Sequence, residues 1–190
     1  MEDDQLKEII ERCAAQDRSA QEQLFKLFYG KMLGVCMRYT KDHDRAQEVV
    51  QESFIKVFDK LGEFDFKGSF EGWVRRIMVN ASIDAIRKRN RQPFSTDEEY
   101  VFNERSSVQE HDFDEDITKI KAEYAMEAIQ ELSPAYRTVF NLFVIENYSH
   151  KEIAQILDIT EGTSKSNLAK AKQNLRKILS EKFVNIDHER

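Results

Sequence analysis

Two clusters of basic and polar side chains have the types and spacing that fit a chemical task. Residues 87–91 read Arg-Lys-Arg-Asn-Arg and end a predicted helix that starts near Phe70. Basic side chains at a helix C-terminus interact favourably with the helix dipole, but that explains one or two of them rather than four. The cluster therefore predicts a surface that contacts phosphates.

The second cluster lies at the start of a predicted helix that begins near Glu161. A short apolar helix over 150–157 precedes it, introduced by Ser149 and Glu152 with capping-box spacing, and a three-residue turn joins the two. This arrangement is a helix-turn-helix unit, whose second helix can enter the major groove of DNA. The first half of that helix carries side chains that can donate to phosphates or base edges: Thr163, Lys165, Ser166, Asn167 and Lys170.

A solvated helical hairpin is the alternative interpretation of this unit. Between Glu161 and Lys182 there are six basic residues and two acidic ones, and several of the basic residues share a face. This charge bias, together with the cluster at 87–91, favours DNA binding.

Polar residues also form a stripe along the predicted helix 70–89, at spacings of four, four and three: Arg76, Asn80, Asp84 and Arg87. The stripe begins beside the loop 65–69, which contains a glycine and has aromatic neighbours. Such a surface can hold unpaired bases by stacking and hydrogen bonding. Phe66 fits stacking and core packing equally well, whereas the pattern places Phe70 and Trp73 in the core.

The sequence shows no group of residues with the types and spacing of a catalytic or metal-binding site. Cys13 and Cys36 lie in apolar helical patterns and are interpreted as buried hydrophobic residues, and the four histidines (His43, His111, His150 and His188) are scattered singly beside polar residues, as expected at a surface. We find no nucleophile–base set, phosphate loop or metal-ligand spacing, so we predict no catalytic residues, metal or cofactor. The acidic N-terminus and the lack of an apolar run of about 20 residues predict a cytoplasmic protein without membrane insertion.

Charge and helical periodicity divide the chain. The formal net charge is −6, but residues 93–133 alone hold 12 acidic and 3 basic side chains, while 61–92 and 134–190 are weakly basic. Helical spacing is found over 4–15, 19–39, 44–60, 70–89, 134–146, 150–157 and from 161, and is not sustained between Gln92 and about Asp116. We predict an all-α chain with an N-terminal helical bundle (1–92), an acidic flexible linker (93–120) and a helix-turn-helix domain (121–190).

Four stretches, in this order, resemble the extracytoplasmic-function (ECF) sigma factors of the sigma-70 superfamily. Residues 44–58, DRAQEVVQESFIKVF, are similar to the family's polymerase-binding helix, and 70–89, FEGWVRRIMVNASIDAIRKR, to its −10 reading helix. Residues 132–140, LSPAYRTVF, match a further family stretch. The −35 reading helix-turn-helix is resembled by 149–157, SHKEIAQIL, with 161–172, EGTSKSNLAKAK.

The resemblance implies a bacterial alternative sigma factor that binds core RNA polymerase and directs promoter-specific transcription initiation. Glu48, Gln51 and Glu52 would contact the clamp of the largest catalytic subunit. The flap region of the second-largest subunit and an anti-sigma factor are further implied partners. The acidic linker would thread a basic polymerase channel.

The family's DNA contacts carry over to particular positions. The loop 65–69 would capture a base flipped from the melted strand, with Lys56 and Asn80 alongside. Lys165 would hold a phosphate, while Ser166, Ala169 and Lys170 would lie nearest the bases. The predicted −10 residues are Lys56, Phe66, Lys67, Ser69, Arg76, Asn80, Arg87, Lys88, Arg89 and Arg91, and the predicted −35 residues are Thr163, Lys165, Ser166, Asn167, Ala169 and Lys170.

Four positions depart from the family pattern. Ser164 stands where an apolar residue is common and Asp158 where the turn often has glycine, while Asn167 and Lys170 replace frequent arginines. Two other functions remain open at this stage. A helix-turn-helix regulator that binds operator DNA without polymerase leaves 44–58 and 65–91 without a role, and a helical protein-interaction module leaves both basic clusters unexplained.

Overall fold

The computed structural model describes the backbone of residues 3–89, 94 and 115–188, and the side chains of 4–89, 94 and 123–180. Every regular element in these ranges is helical. The chain divides into two compact units, Met1–Asn90 and Arg91–Arg190. The predicted all-α class is confirmed.

The first unit is a bundle of four helices. They are α1 (Asp3–Ala14), α2 (Arg18–Met37), α3 (His43–Asp59) and α4 (Phe70–Arg89), with a short 3-10 turn at Leu61–Glu63. Each lies within two residues of its predicted bounds. Aspartates cap two of the starts: Asp17 accepts from the Ser19 and Ala20 amides, and Asp42 accepts from the Asp44 amide.

The core of this bundle is centred on α2, which packs against α1, α3 and α4. Leu24, Phe28 and Met32 recur every four residues on α2 and are buried, so one stripe of the helix faces its neighbours. Cys13 and Cys36 are also fully buried, as predicted. Burial raises the pKa of both thiols to about 11, which keeps them protonated at neutral pH.

The second unit contains α5 (Glu115–Glu131), α6 (Pro134–Phe140), a π-helical turn (Asn141–Ile145), α7 (His150–Leu157) and α8 (Glu161–His188). Its core packs α5 and the residue after it, Leu132, against α8; the buried residues are Ala128, Leu132, Ala171, Leu175 and Ile178. The helix α5 begins inside the range predicted as linker, so residues 115–120 are helical. Apart from these and Phe94, the predicted linker lies outside the described residues.

Local capping explains where the helices of the second unit begin. The Ser133 hydroxyl accepts from the Tyr136 amide at the start of α6. At α7 the predicted capping box is formed: the Glu152 amide donates to Ser149 Oγ, and Glu152 Oε2 accepts from the Ser149 amide at 2.8 Å. Over the described part of the chain, we find no helix with the length and apolarity needed to cross a bilayer.

Candidate nucleic-acid interface

The helix-turn-helix geometry rests on the turn between α7 and α8. Asp158 ends α7 in a left-handed conformation (φ 55°, ψ 50°), and its amide donates to the Ala154 carbonyl. Residues other than glycine rarely adopt this left-handed backbone conformation, but aspartate tolerates it better than most. The Thr163 amide then donates to Thr160 Oγ1 at 3.0 Å, which caps the first turn of α8. The helices α7 and α8 pack together with Ile153 and Leu168 buried.

Most of the predicted −35 residues lie on the solvent side of α8. Lys165, Ser166 and Ala169 are exposed, and Thr163 and Lys170 are half-buried. The ammonium of Lys170 lies 5.9 Å from the centre of the Tyr136 ring. A short basic and hydroxyl-bearing surface is thus available at the start of the helix.

Asn167 was predicted to face the groove, and this is wrong for the protein as described. Its side chain is 2% exposed. At 100° per residue, Asn167 falls on the buried face of α8 with Ser164 and Ala171, three and four residues away. Its Nδ2 has no hydrogen-bond partner among the described residues.

His150 was expected to be a solitary surface histidine, and the structure corrects this. Its ring stacks on Phe143 with the ring centres 4.5 Å apart, and Nδ1 lies 2.9 Å from the buried Ser164 Oγ. Desolvation lowers the pKa of His150, and the positive charge of Lys165 lowers it further. Neutral His150 is therefore favoured at physiological pH.

The loop 65–69 presents an exposed aromatic ring. Phe66 has a left-handed backbone (φ 59°) and is 45% exposed. Beside it, the Lys67 amide donates to Asp65 Oδ1 at 3.1 Å and the Lys67 ammonium lies 3.0 Å from Asp65 Oδ2. The hydrogen bond from Lys67 lowers the pKa of Asp65. The ammonium of Lys7, on α1, lies 5.6 Å from the Phe66 ring centre, a contact that sequence spacing could not indicate.

A cluster of aromatic side chains packs against the Phe66 ring of this loop. Phe64 packs against Phe66, Phe70 and Trp73, with ring centres 5.0–5.6 Å apart. Phe70 is buried, which confirms its predicted core position, and Trp73 is half-buried. Lys67 and Ser69 are both exposed.

The predicted polar stripe on α4 is exposed along its length. Arg76, Asn80, Asp84 and Arg87 are all solvent-facing, as is Lys56 on α3. One guanidinium nitrogen of Arg87 lies 3.4 Å from Asp84 Oδ1, a surface pair of the kind that contributes little to stability. The stripe ends in the exposed residues Lys88 and Arg89. Arg91 lies outside the described residues.

Two family profiles match the chain, one in each half. The profile for sigma-70 region 2 matches residues 24–92, and the profile for sigma-70 region 4 matches residues 122–175. The chain belongs to the sigma-70 family. Its curated relatives include the RNA polymerase sigma-H factor of Pseudomonas aeruginosa, 28% identical over 182 residues that cover 93% of this chain and 94% of the relative.

Another relative is the ECF RNA polymerase sigma factor SigW of Bacillus subtilis, 28% identical over 92% of this chain and 96% of that protein. Among solved structures, the sigma factor RpoE of Bartonella quintana, crystallised with the anti-sigma factor NepR, shares the fold. Its TM-score is 0.53 at 23% identity, covering 84% of this chain and 96% of that one.

The family decides the class of function. The chain is an ECF sigma factor, an alternative sigma factor that directs RNA polymerase in transcription initiation, and it is not an enzyme. The predictions of family, fold and function are confirmed. Sigma factors act on RNA polymerase in the cell interior.

The α3 surface of this sigma factor includes a residue that sequence analysis missed. Glu48, Gln51 and Glu52 are exposed, and a guanidinium nitrogen of Arg45 lies 2.6 Å from Glu48 Oε2. On the same surface Ile55 is 62% exposed, three and four residues after Glu52 and Gln51. Its signal in the sequence is an isoleucine one residue out of register with the buried stripe of α3.

Proposed function

We propose that this sigma factor uses its two halves for separate promoter elements: residues 1–92 for polymerase binding and the −10 element, and residues 121–190 for the −35 element. The observation that carries the proposal is the location of exposed basic surface in both matched regions, at the end of α4 and at the start of α8. The acidic linker was predicted over 93–120, of which 115–120 form the first turns of α5, and its charge suits a basic polymerase channel where nucleic acid later runs.

At the −35 element, α8 enters the major groove. Lys165 holds a phosphate, and Ser166, Ala169 and Lys170 lie nearest the bases, with Thr163 at the edge of the surface. The exposure of Lys165, Ser166 and Ala169 supports this assignment. Lys170 is half-buried, with its ammonium near the Tyr136 ring. This contact is weak, so the ammonium can move from the ring to DNA.

At the −10 element, the loop 65–69 captures a base extruded from the melted strand. The exposed, left-handed Phe66 offers a stacking face, and Lys67 and Ser69 offer donors. Extruding a base costs a few kcal/mol of stacking, which contacts in the pocket offset. Lys56, Arg76 and Asn80 lie beside the path of the melted strand to this loop. The DNA phosphates are bound by Arg87, Lys88, Arg89 and Arg91.

Core polymerase binds the exposed face of α3. Glu48, Gln51 and Glu52 contact the clamp of the largest subunit, while the second unit contacts the flap of the second-largest subunit. The strongly exposed Ile55 within this face gives a protein partner apolar surface to bury, which would favour binding there. An anti-sigma factor competes with core polymerase for binding to this sigma factor in the cytoplasm; the neighbouring RpoE structure is likewise a complex with an anti-sigma factor, NepR.

Run-off transcription tests the proposal. Core polymerase is incubated with and without the full chain on fragments from upstream regions of its own genome. We expect new start sites that need the chain, and loss of transcription when either the −10 or the −35 element of a responsive fragment is replaced.

Two results would reject it. A chain that does not join core polymerase refutes the polymerase contact. A chain that joins polymerase but starts transcription equally well after replacement of the −35 element refutes the role of α8.

A further inference from the structure

Three side chains link the elements around the helix-turn-helix. His150 is the first residue of α7, Phe143 lies in the π-helical turn before it, and Ser164 lies on α8. The His150 and Phe143 rings stack with 24° between their planes, and His150 Nδ1 lies 2.9 Å from Ser164 Oγ. One histidine thus contacts both the segment before α7 and the helix after it.

Ser164 is an unexpected residue for its position. It is 0% exposed and occupies the buried face of α8, in helical register with Leu168, Ala171 and Leu175. A buried hydroxyl needs a hydrogen-bond partner, and His150 supplies one. An apolar side chain would pack here with little directional preference, whereas a hydrogen bond sets both a distance and an angle.

The consequence falls on the residues next to Ser164. Lys165 and Ser166 follow it directly in the chain and point away from the core, so a rotation of α8 about its axis would move both relative to the groove. The bond between His150 and Ser164 opposes that rotation, and the stacked Phe143 ring holds the imidazole in place.

We propose that His150 is a positioning residue for −35 recognition, which orients α8 through its hydrogen bond to the buried Ser164. The inference rests on the proposed −35 contact by α8. It adds a specificity determinant that does not itself touch DNA and that depends on a serine–histidine pair.

The test separates the hydrogen bond from the ring stacking. His150→Phe keeps an aromatic ring against Phe143 but cannot bond Ser164, whereas His150→Asn keeps a polar atom near the position of Nδ1 and loses the ring. Full-length variants are assembled with core polymerase, and half-saturating concentrations are measured on a responsive promoter and on the same promoter with its −35 element replaced. The ratio of the two concentrations is the −35 selectivity.

We expect His150→Phe and Ser164→Ala each to reduce the −35 selectivity about three- to tenfold, the scale of one hydrogen bond. The double variant should lose no more than either single variant, because both remove the same bond. His150→Asn should retain most of the selectivity. The matched control is His43→Ala, since His43 is likewise the first residue of its helix but is exposed.

Three outcomes would overturn the inference: wild-type selectivity in His150→Phe, additive losses in the double variant, or equal losses in His150→Asn and His150→Phe. Wild-type selectivity in His150→Phe together with a loss in His150→Asn would assign the effect to ring packing, and equal losses in the two variants would show that a polar atom at this position does not preserve the selectivity. If the wild-type chain had the same half-saturating concentration on the promoter with and without its −35 element, that result would instead refute the proposed function itself.

Discussion

Removing the ammonium of Lys165 should change how promoter binding responds to salt. Lys165 is exposed at the start of α8, next to the exposed Ser166 and one turn before Ala169. If it holds one phosphate, Lys165→Ala releases one fewer counterion on binding. The slope of log affinity against log salt should then become shallower by about 0.9.

This slope converts into a measurable difference. Raising the salt from about 50 to about 200 mM is a fourfold change, so wild-type holoenzyme should lose about 3.5-fold more affinity than Lys165→Ala over that range. Lys165→Arg keeps the charge and should keep the wild-type slope. The measurement is a titration of promoter DNA with holoenzyme at several salt concentrations.

Lys177→Ala is the control for this experiment. Lys177 is also exposed on α8 but lies about 18 Å further along the helix axis, beyond the half that would enter the groove. Equal slopes for wild type, Lys165→Ala and Lys177→Ala would refute the reasoning. Equal reductions in both alanine variants would show a diffuse electrostatic effect and would equally contradict a specific phosphate contact.

Three further predictions concern polymerase binding and the folded state. Gln51→Ala with Glu52→Ala should impair holoenzyme formation, measured by co-migration with core polymerase, and unimpaired assembly would contradict the assigned face. The hydrogen bond from Arg12 lowers the pKa of Asp17, so this carboxylate contributes stability that is complete above its unfolded pKa near 3.8 and is lost as the pH falls through the lower folded pKa. Asp17→Asn should remove this acid-dependent loss in urea unfolding between pH 2 and 6, and an unchanged pH profile would reject the assignment. Asp158 has a left-handed backbone, so the free energy of unfolding of Asp158→Ala should be about 1 kcal/mol lower than that of Asp158→Gly, measured by urea unfolding. Equal unfolding midpoints for the two variants would indicate that the turn adopts another conformation.

Helix spacing and capping chemistry predicted most of the fold from local information. Apolar residues at intervals of three and four located α1–α4 and α6–α8, and the serine–glutamate pair before α7 marked a capping box that is formed. These features depend on residues within one or two helical turns of each other, so they can be recognised from the spacing of residues along the sequence. The helix α5 was not predicted, because its first residues share the acidic composition of the preceding stretch.

What the sequence by itself determined is the helical composition, the basic clusters and the ordered stretches that indicate the family. What only the tertiary structure decided is which polar side chains of those helices remain available. Asn167 and Ser164 look as polar in the sequence as Lys165, yet packing of α8 buries the first two and exposes the third. The contacts of His150 with Phe143 and Ser164, and of Lys7 with Phe66, join residues on different elements. Such contacts depend on how helices pack, which spacing along one helix does not specify.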